Sequence, residues 1–561
     1  MAEKADDYTK WTKDSLIDRV RQLEHELKRR PEPPSAPPPS HRSPEPGSQA
    51  VSLVAGEDAT IGGEPPVKKR KEKKVADPST YSFRYIALKL AYLGRNYGGF
   101  EYASSGVLPS VEEELFKALA KARLIFPEDE RVVDFGNCEY SKCGRTDRGV
   151  SAFGQVIGLK IRSARPVPGL RKKAKKTQEQ KGSNAGAANT EGQAVEAEED
   201  QSPPEPPPFD PIRDELPYPK LINRLLPRDI RILAWCPSPP PEFSARFSCR
   251  ERQYRYFFTQ PAFNPPPPSP IQENSGWLDI DAMRDAARRY EGEHDFRNFC
   301  KVDPSKNITN YKRRILESTI EEVPDMGSTL PHIIPAAAAV GAQDGGPFPK
   351  VYCFKVRGTA FLWHQIRHMV SILFNVGQRL EKPELVSQLL DIENNPRRPV
   401  YVMADETPLV LWDCLFTDDD GKDLDWIHAE DDVDPTKAAT STGAIDGVWK
   451  LWRETKMDEI LANGLLRRIT EERTVRDTPL QLPQQPRKKN EASVRLFEGG
   501  NSARAGGKYV PVMKLRMMET VAEQNDKFAQ RKGFMDAEDM MKQKAAKWEQ
   551  ANKMQDADEV E

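Results

Sequence analysis

No stretch of the 561-residue chain approaches the roughly 20 consecutive apolar residues that a membrane-spanning helix needs. The charged opening MAEKADDYTK likewise lacks the apolar centre of a secretory leader. The reading is a soluble protein that is neither membrane-bound nor secreted. Cysteine is scarce, seven in all, and the nearest pair, Cys138 and Cys143, has four residues between its members. That excludes a disulfide framework and leaves reduced, mostly buried thiols in an intracellular protein. No CxxC spacing or His-rich partner stands beside the pair, so no metal is expected. An excess of either charge is also missing: 84 Lys plus Arg face 86 Asp plus Glu, for a net −2. This excludes a polycation that coats nucleic acid everywhere, but not a local basic cleft. GxxxxGK[ST], strand-bound GxGxxG, HExxH and GxSxG are all absent. Nothing therefore points to ATP, NAD or zinc, and no cofactor is expected.

What is present alternates between ordered and solvated segments, since only 37% of residues are hydrophobic, 30% are charged and 49 are proline. Leu16, Val20, Leu23 and Leu27 predict one short helix within 1–30. Residues 31–80 are proline-rich and then lysine-rich, and are expected to be disordered. Their run from Lys68 to Lys74 reads either as a nuclear-import signal or as a solvated tail touching RNA phosphates. A low-complexity insertion fills 165–212, a smaller loop-like one about 327–346, and a partly helical, partly disordered extension runs over 418–561.

Between these lies a body of roughly 300 residues. Its predicted strands include RYIALKLAYL, with Ile86, Leu88 and Leu90 on one face, then VIGLKI at 156–161, 251–259, KVYCFKVRG at 350–358 and LVLWDCLF at 409–416. Helices are predicted at 111–122, at DIDAMRDAARRYEG and at 364–380, with a further one at 446–469. Strands and helices mix without strict alternation, which favours an α+β fold.

Three clusters carry candidate chemistry. In CGRTDRGVSAFGQV, from Cys143 to Val156, Asp147 sits in a glycine-bracketed loop between Arg145 and Arg148. A neighbouring guanidinium keeps such a carboxylate ionised, lowering its pKa by about 1–3 units; an Asx turn that merely ties down the loop is the alternative. In FSARFSCRERQYRYFF, arginines interleave with Phe247, Tyr254 and Tyr256, which suits phosphates beside a stacked base or, alternatively, the solvent face of a sheet. In RGTAFLWHQIRHMV, Arg367 interrupts an apolar helix and must either snorkel outward or meet a carboxylate. His364 and His368 lie one turn apart there without a third ligand at a telling spacing.

CGRTDRGVSAFGQV resembles the catalytic motif of the TruA family of tRNA pseudouridine synthases. LAYLGRNYGGFEY, LINRLLPRDIRILAW, FSARFSCRERQYRYFF, GEHDFRNFC, GTAFLWHQIRHMV and PLVLWDCLF follow in family order, so that seven blocks cover about 81–417. CGRTD, GVSAFGQV and HDFRNFC resemble the eukaryotic branch that modifies tRNA positions 38 and 39, as does the late segment GGKYVPVMKLR at 506–516.

The resemblance implies two ferredoxin-like (RRM-like) halves, 81–164 and 213–417, whose antiparallel sheets join around a central basic cleft. It implies a homodimer gripping one tRNA, and cofactor-free isomerisation of uridine to pseudouridine in the anticodon stem-loop. With the import-like run, it places the protein in nucleus and cytoplasm. By position, Asp147 matches the catalytic aspartate, acting at C1′ as nucleophile or at C2′ as base. Arg145 matches the arginine that displaces the target nucleotide, Tyr254 the tyrosine that stacks on the flipped uracil, and Arg367 the basic residue that pairs with the aspartate. Ser151 and Glu101 depart from the His and Gln common in bacterial members, which bears on substrate preference. Other tRNA or mRNA targets, or a tRNA chaperone on the same scaffold, are the alternatives.

Overall fold

The computed structural model describes residues 77–167, 208–263, 276–323, 350–417, 421–429, 444–475, 494–505 and 507–558. The N-terminal helix, the basic run, the bulk of the 165–212 insertion and the 327–346 loop lie outside the described residues.

Strand β1 (Ser82–Tyr92) leads through helix α1 (Val111–Lys121) to the short β2 (Ser141–Lys142) and the long β3 (Ser151–Ser163). Helix α2 (Tyr218–Asn223) and strand β4 (Ile230–Cys236) follow. The pattern then repeats: β5 (Glu251–Gln260), α3 (Ile280–Arg288), the short β6 (Gly292–Asp295), β7 (Lys312–Glu322), β8 (Lys350–Gly358), α4 (Gln365–Gly377), α5 (Glu384–Leu390) and β9 (Leu409–Leu415). With β10 (Ile427–His428) these strands make one ten-stranded sheet in the order β10-β4-β1-β3-β9-β5-β8-β7-β6, with β2 beside β3. Every pairing among the described strands is antiparallel except β3 with β9, which meet in parallel through Ser151–Val410 and Ala152–Leu411. The architecture is thus a mixed α/β body on a large, mostly antiparallel open sheet.

Local sequence explains these elements. Ser110 caps α1 by accepting from the Glu113 amide at 3.1 Å, a standard N-cap arrangement. Helix α1 then buries Val111, Leu115, Phe116 and Leu119. Helix α4 is buried along its length except at Asn375, and its buried polar residues Arg367 and Ser371 are met by hydrogen-bond partners, as buried polar groups must be. Two hydrophobic cores result, one around Leu88, Phe116, Leu159 and Tyr218, the other around Met283, Tyr290, Phe354 and Phe374. Tyr254 packs against both.

The second core also recruits residues from beyond the predicted body. Phe497 and Val512 are buried in it, and the Phe497 amide and carbonyl both bond the Gln378 side chain, at 2.8 and 3.0 Å. Beyond the short hairpin of β11 (Arg495–Leu496) and β12 (Arg504–Ala505), α7 (Val521–Arg531) follows the docked segment. It opens with a full capping box of Thr520 and Glu523. Helices α6 (Ala444–Val475) and α8 (Ala537–Asp558) complete the described chain. None of its helices is long and apolar enough to cross a membrane.

Candidate active site at the seam of the sheet

The loop from Gly144 to Val150 lies over the seam between β3 and β9. Tyr92, Ala152, Leu411, Tyr254 and Val356 are cross-strand partners in turn, so they form one row across five strands. The loop is fastened to that row. The Tyr92 hydroxyl and Thr146 Oγ1 lie 2.7 Å apart. Gln155 accepts from the Gly144 amide at 3.1 Å and donates to its carbonyl at 2.8 Å. The Val150 amide closes the turn on the Asp147 carbonyl at 3.1 Å, and Gly149 donates to the Tyr97 carbonyl at 3.3 Å.

Two glycines make this approach possible. A Cβ on Gly94 would overlap the Val150 carbonyl, so nothing larger fits where the 94–100 segment passes beneath the loop. Gly149 has φ +81°, a left-handed conformation that side chains resist, and a Cβ there would come within 2.7 Å of Glu406 Cγ.

Asp147 is held half-buried in this loop, yet neither arginine beside it in sequence supplies its contacts. Its Oδ1 accepts from Trp363 Nε1 at 3.2 Å, and its Oδ2 lies 3.3 Å from His364 Nε2. Both partners come from the turn into α4, 216 and 217 residues on. That turn is shaped by His364, whose φ of +62° is left-handed for a non-glycine residue, and by Gln365, whose Oε1 accepts from the Leu362 amide at 2.8 Å. Strain of this kind gathers where function over-determines the backbone.

Arg145 points instead to Glu101, Nε to Oε1 at 3.2 Å, and is half exposed. Glu101 also takes Lys142 Nζ at 3.0 Å. Arg148 is exposed. Tyr254 lies edge-on to Phe361, with ring centroids 5.2 Å apart, and burial pushes its hydroxyl pKa far up, so it is a neutral, apolar ring face.

Arg367 does not snorkel, and the structure gives its guanidinium partners other than Asp147. Buried at 7% exposure, it donates through Nε to the Ala404 carbonyl at 2.8 Å and through Nη2 to Glu406 Oε2 at 2.6 Å. The carboxylate that meets Arg367 here is that of Glu406, whose side chain also abuts Gly149. His368 likewise lies apart from His364's contact with Asp147. It packs against Tyr401 and Arg398, and burial, reinforced by Arg398, lowers its pKa to about 2.

The sequence reading missed Trp363 and Glu406, and weighed His364 only as a metal ligand beside His368. The signal for Trp363 and His364 was an aromatic and an imidazole just before an apolar helix; Glu406 carried none. Trp363 is 40% exposed, with Lys301 Nζ 4.4 Å and Lys306 Nζ 5.8 Å from its ring centroid. A solvent-facing aromatic flanked by cations and a carboxylate offers stacking, phosphate contact and acid–base or nucleophilic chemistry in one place. Phe247, also strongly exposed, carries Arg246 over its ring at 5.2 Å.

A family profile described as tRNA pseudouridine synthase matches residues 286–417. The tRNA pseudouridine(38/39) synthase of Bos taurus is 36% identical over 416 residues, covering 74% of this chain and 68% of that protein. The synthase of the same name from Saccharomyces cerevisiae is 36% identical over 447 residues, covering 79% of this chain and 77% of its own length. The tRNA pseudouridine synthase A of Methanothrix thermoacetophila is 28% identical over 344 residues, 61% of this chain and 85% of the archaeal protein.

Proposed function

The chain belongs to the tRNA pseudouridine synthase family, and from that premise we propose that it isomerises uridine to pseudouridine at positions 38 and 39 of the tRNA anticodon stem-loop, with Asp147 as the catalytic carboxylate. It is an isomerase acting on tRNA. The N1–C1′ bond of uridine breaks, the uracil turns, and C5 bonds to C1′; N1 gains a proton and C5 gives one up. Asp147 serves this at the ribose, at C1′ as nucleophile or at C2′ as base.

One observation carries the reading. A partly open carboxylate sits on a loop locked to the sheet seam and is contacted by an exposed indole from the other half. Extruding a base costs a few kcal/mol, and stacking on aromatic faces returns about 1–3 kcal/mol per base. In this reading Tyr254 stacks on the flipped uracil and Arg145 helps displace the nucleotide. Arg367 supports the loop through Glu406 and Gly149.

The same proposal treats the body as two ferredoxin-like halves flanking a basic cleft. It is supported by the order β-α-β-β-α-β, which the second half repeats with β6 and α5 added, and by the matching strand arrangements β4-β1-β3-β2 and β9-β5-β8-β7. It further has two copies of the chain share one tRNA, in nucleus and cytoplasm. The first rests on family resemblance and the second on the Lys68–Lys74 run; light scattering of the free protein and imaging of a run-deleted chain test them.

Site-resolved pseudouridine mapping on unmodified tRNA transcripts, with wild type beside Asp147→Ala, tests the central claim. The expected result is signal at positions 38 and 39 that vanishes in the variant while tRNA affinity stays within a few-fold. Signal elsewhere overturns the positions, and undiminished signal in Asp147→Ala overturns the catalyst.

A further inference from the structure

Three of the seven cysteines, distant in sequence, converge behind the catalytic loop. The Sγ atoms of Cys143, Cys249 and Cys414 all lie within 4.8 Å of one another. Cys143 is the residue before Gly144, Cys249 stands two residues before β5, and Cys414 is in β9. All three are buried, at 4%, 9% and 1% exposure. Ordinary apolar packing accounts for one buried thiol at a time, but it gives no reason for three sulfurs to face one point.

The charge beside them is the second observation. Arg252 is the direct cross-strand partner of Cys414. Its guanidinium donates to the carbonyls of Cys143, Thr359 and Arg246 at 3.1, 3.0 and 3.3 Å. Among the described residues it has no carboxylate partner, so a half-buried positive charge faces the sulfur cluster without a fixed anion.

We propose that Cys143, Cys249 and Cys414 form a binding site for a thiophilic divalent d¹⁰ cation, held by three thiolates. Three metal–sulfur bonds of ~2.3 Å arranged in a plane set the sulfurs about 4.0 Å apart. Closing the cluster from its present span therefore needs only side-chain adjustment. Soft thiolate donors select soft ions over magnesium or calcium. The charges also balance: a divalent ion and three thiols give a trithiolate of charge −1 and release three protons, and Arg252 supplies the matching +1. No fourth Cys, His, Asp or Glu joins the cluster among the described residues, so the site is three-coordinate from protein alone. Because Cys143 begins the loop that carries Asp147, the bound ion ties the start of that loop to β5 and β9.

Cadmium is the probe. The reduced, chelator-treated full chain is titrated with Cd(II) while thiolate-to-metal charge-transfer absorption is followed. One equivalent per chain is expected, the band is lost in Cys249→Ser, and Cys353→Ser, altered on β8 away from the cluster, keeps it. Cys249 is the least buried of the three and so the mildest substitution. Should that variant fail to fold, alkylation of the wild type with mass mapping decides. Cd(II) must then protect Cys143, Cys249 and Cys414 together and leave Cys138, Cys236, Cys300 and Cys353 unchanged. No band, a band that survives in a folded Cys249→Ser, or protection that omits the trio overturns the site.

Discussion

The two halves of the sheet share one core order of elements, to which the second adds β6 and α5, but secure their contributions to the site by opposite means. The first half presents its loop with neutral fastenings, Tyr92 to Thr146 and Gln155 to Gly144, and with a backbone approach that only glycine at 94 permits. The second half presents its turn from a buried helix whose first winding is pinned by an ion pair, Arg367 to Glu406. The difference follows from what each must display. On the proposed function the first half displays a carboxylate to a polyanion, and Arg145, beside it in sequence, is engaged by Glu101. The contacts to Asp147 then come from across the seam, from Trp363 and His364. Glu406 links the two strategies, because it receives Arg367 and abuts Gly149.

Breaking the neutral fastening should have the larger effect on turnover. Gly94→Ala places a methyl group against the Val150 carbonyl, so the loop must shift. A displacement of about 1 Å costs on the order of 10²-fold in rate, beside roughly 1–3 kcal/mol from overpacking. Single-turnover pseudouridine formation measures the first and urea denaturation the second. Activity within twofold of wild type would show that the loop does not depend on this close approach.

The ionic fastening should show the reverse balance. Arg367→Met leaves Glu406 without its guanidinium. Removing one member of a buried pair costs about 3–5 kcal/mol. The Glu406 side chain is 35% exposed and is partly rehydrated, so a loss of about 2 kcal/mol is expected. Glu406→Gln should cost less, since Arg367 keeps the Ala404 carbonyl. If denaturation places both variants at wild-type stability, the ion pair is not what secures the second half.

The same contrast explains what the sequence made legible. Periodicity located α1, β5, β8, α4 and β9 to within a few residues, because each buries an apolar face that the pattern exposes directly. Strand β7, KRRILESTIEE, escaped because charged residues dominate it and only Ile315, Ser318 and Ile320 are buried. The extension beyond 417 looked separate because the apolar residues around Phe497 and Val512 form only short clusters within a polar, proline- and charge-rich stretch, and only the fold brings them to the second core. In the site, Asp147 and Tyr254 stood out within dense local motifs. The pairings of Asp147 with Trp363 and His364 and of Arg367 with Glu406 did not, since they span 216, 217 and 39 positions. Local context proposed Arg145 and Arg148 as the neighbours of Asp147 because sequence adjacency was all it had.

The smallest expected effect separates the halves by pH. His368, on the buried face of α4, is surrounded by Arg398, Arg367, His364 and the Tyr401 ring. Burial first, and then the neighbouring positive charges, hold its pKa at about 2 against an ordinary value of 6.5. The folded imidazole therefore stays neutral while the unfolded one takes a proton below 6.5. Between these values the unfolded chain binds more protons, so this contribution is complete above pH 6.5 and is lost as the pH falls towards 2. The slope is at most one proton's worth, about 1.4 kcal/mol per pH unit. Thermal melts of wild type and His368→Gln from pH 7.5 to 5 should show a shallower acid limb in the variant. Gly94→Ala, altered in the first half and touching no group that titrates in this range, should keep the wild-type slope. Parallel acid limbs for all three proteins would mean that the second half does not set the response to acid.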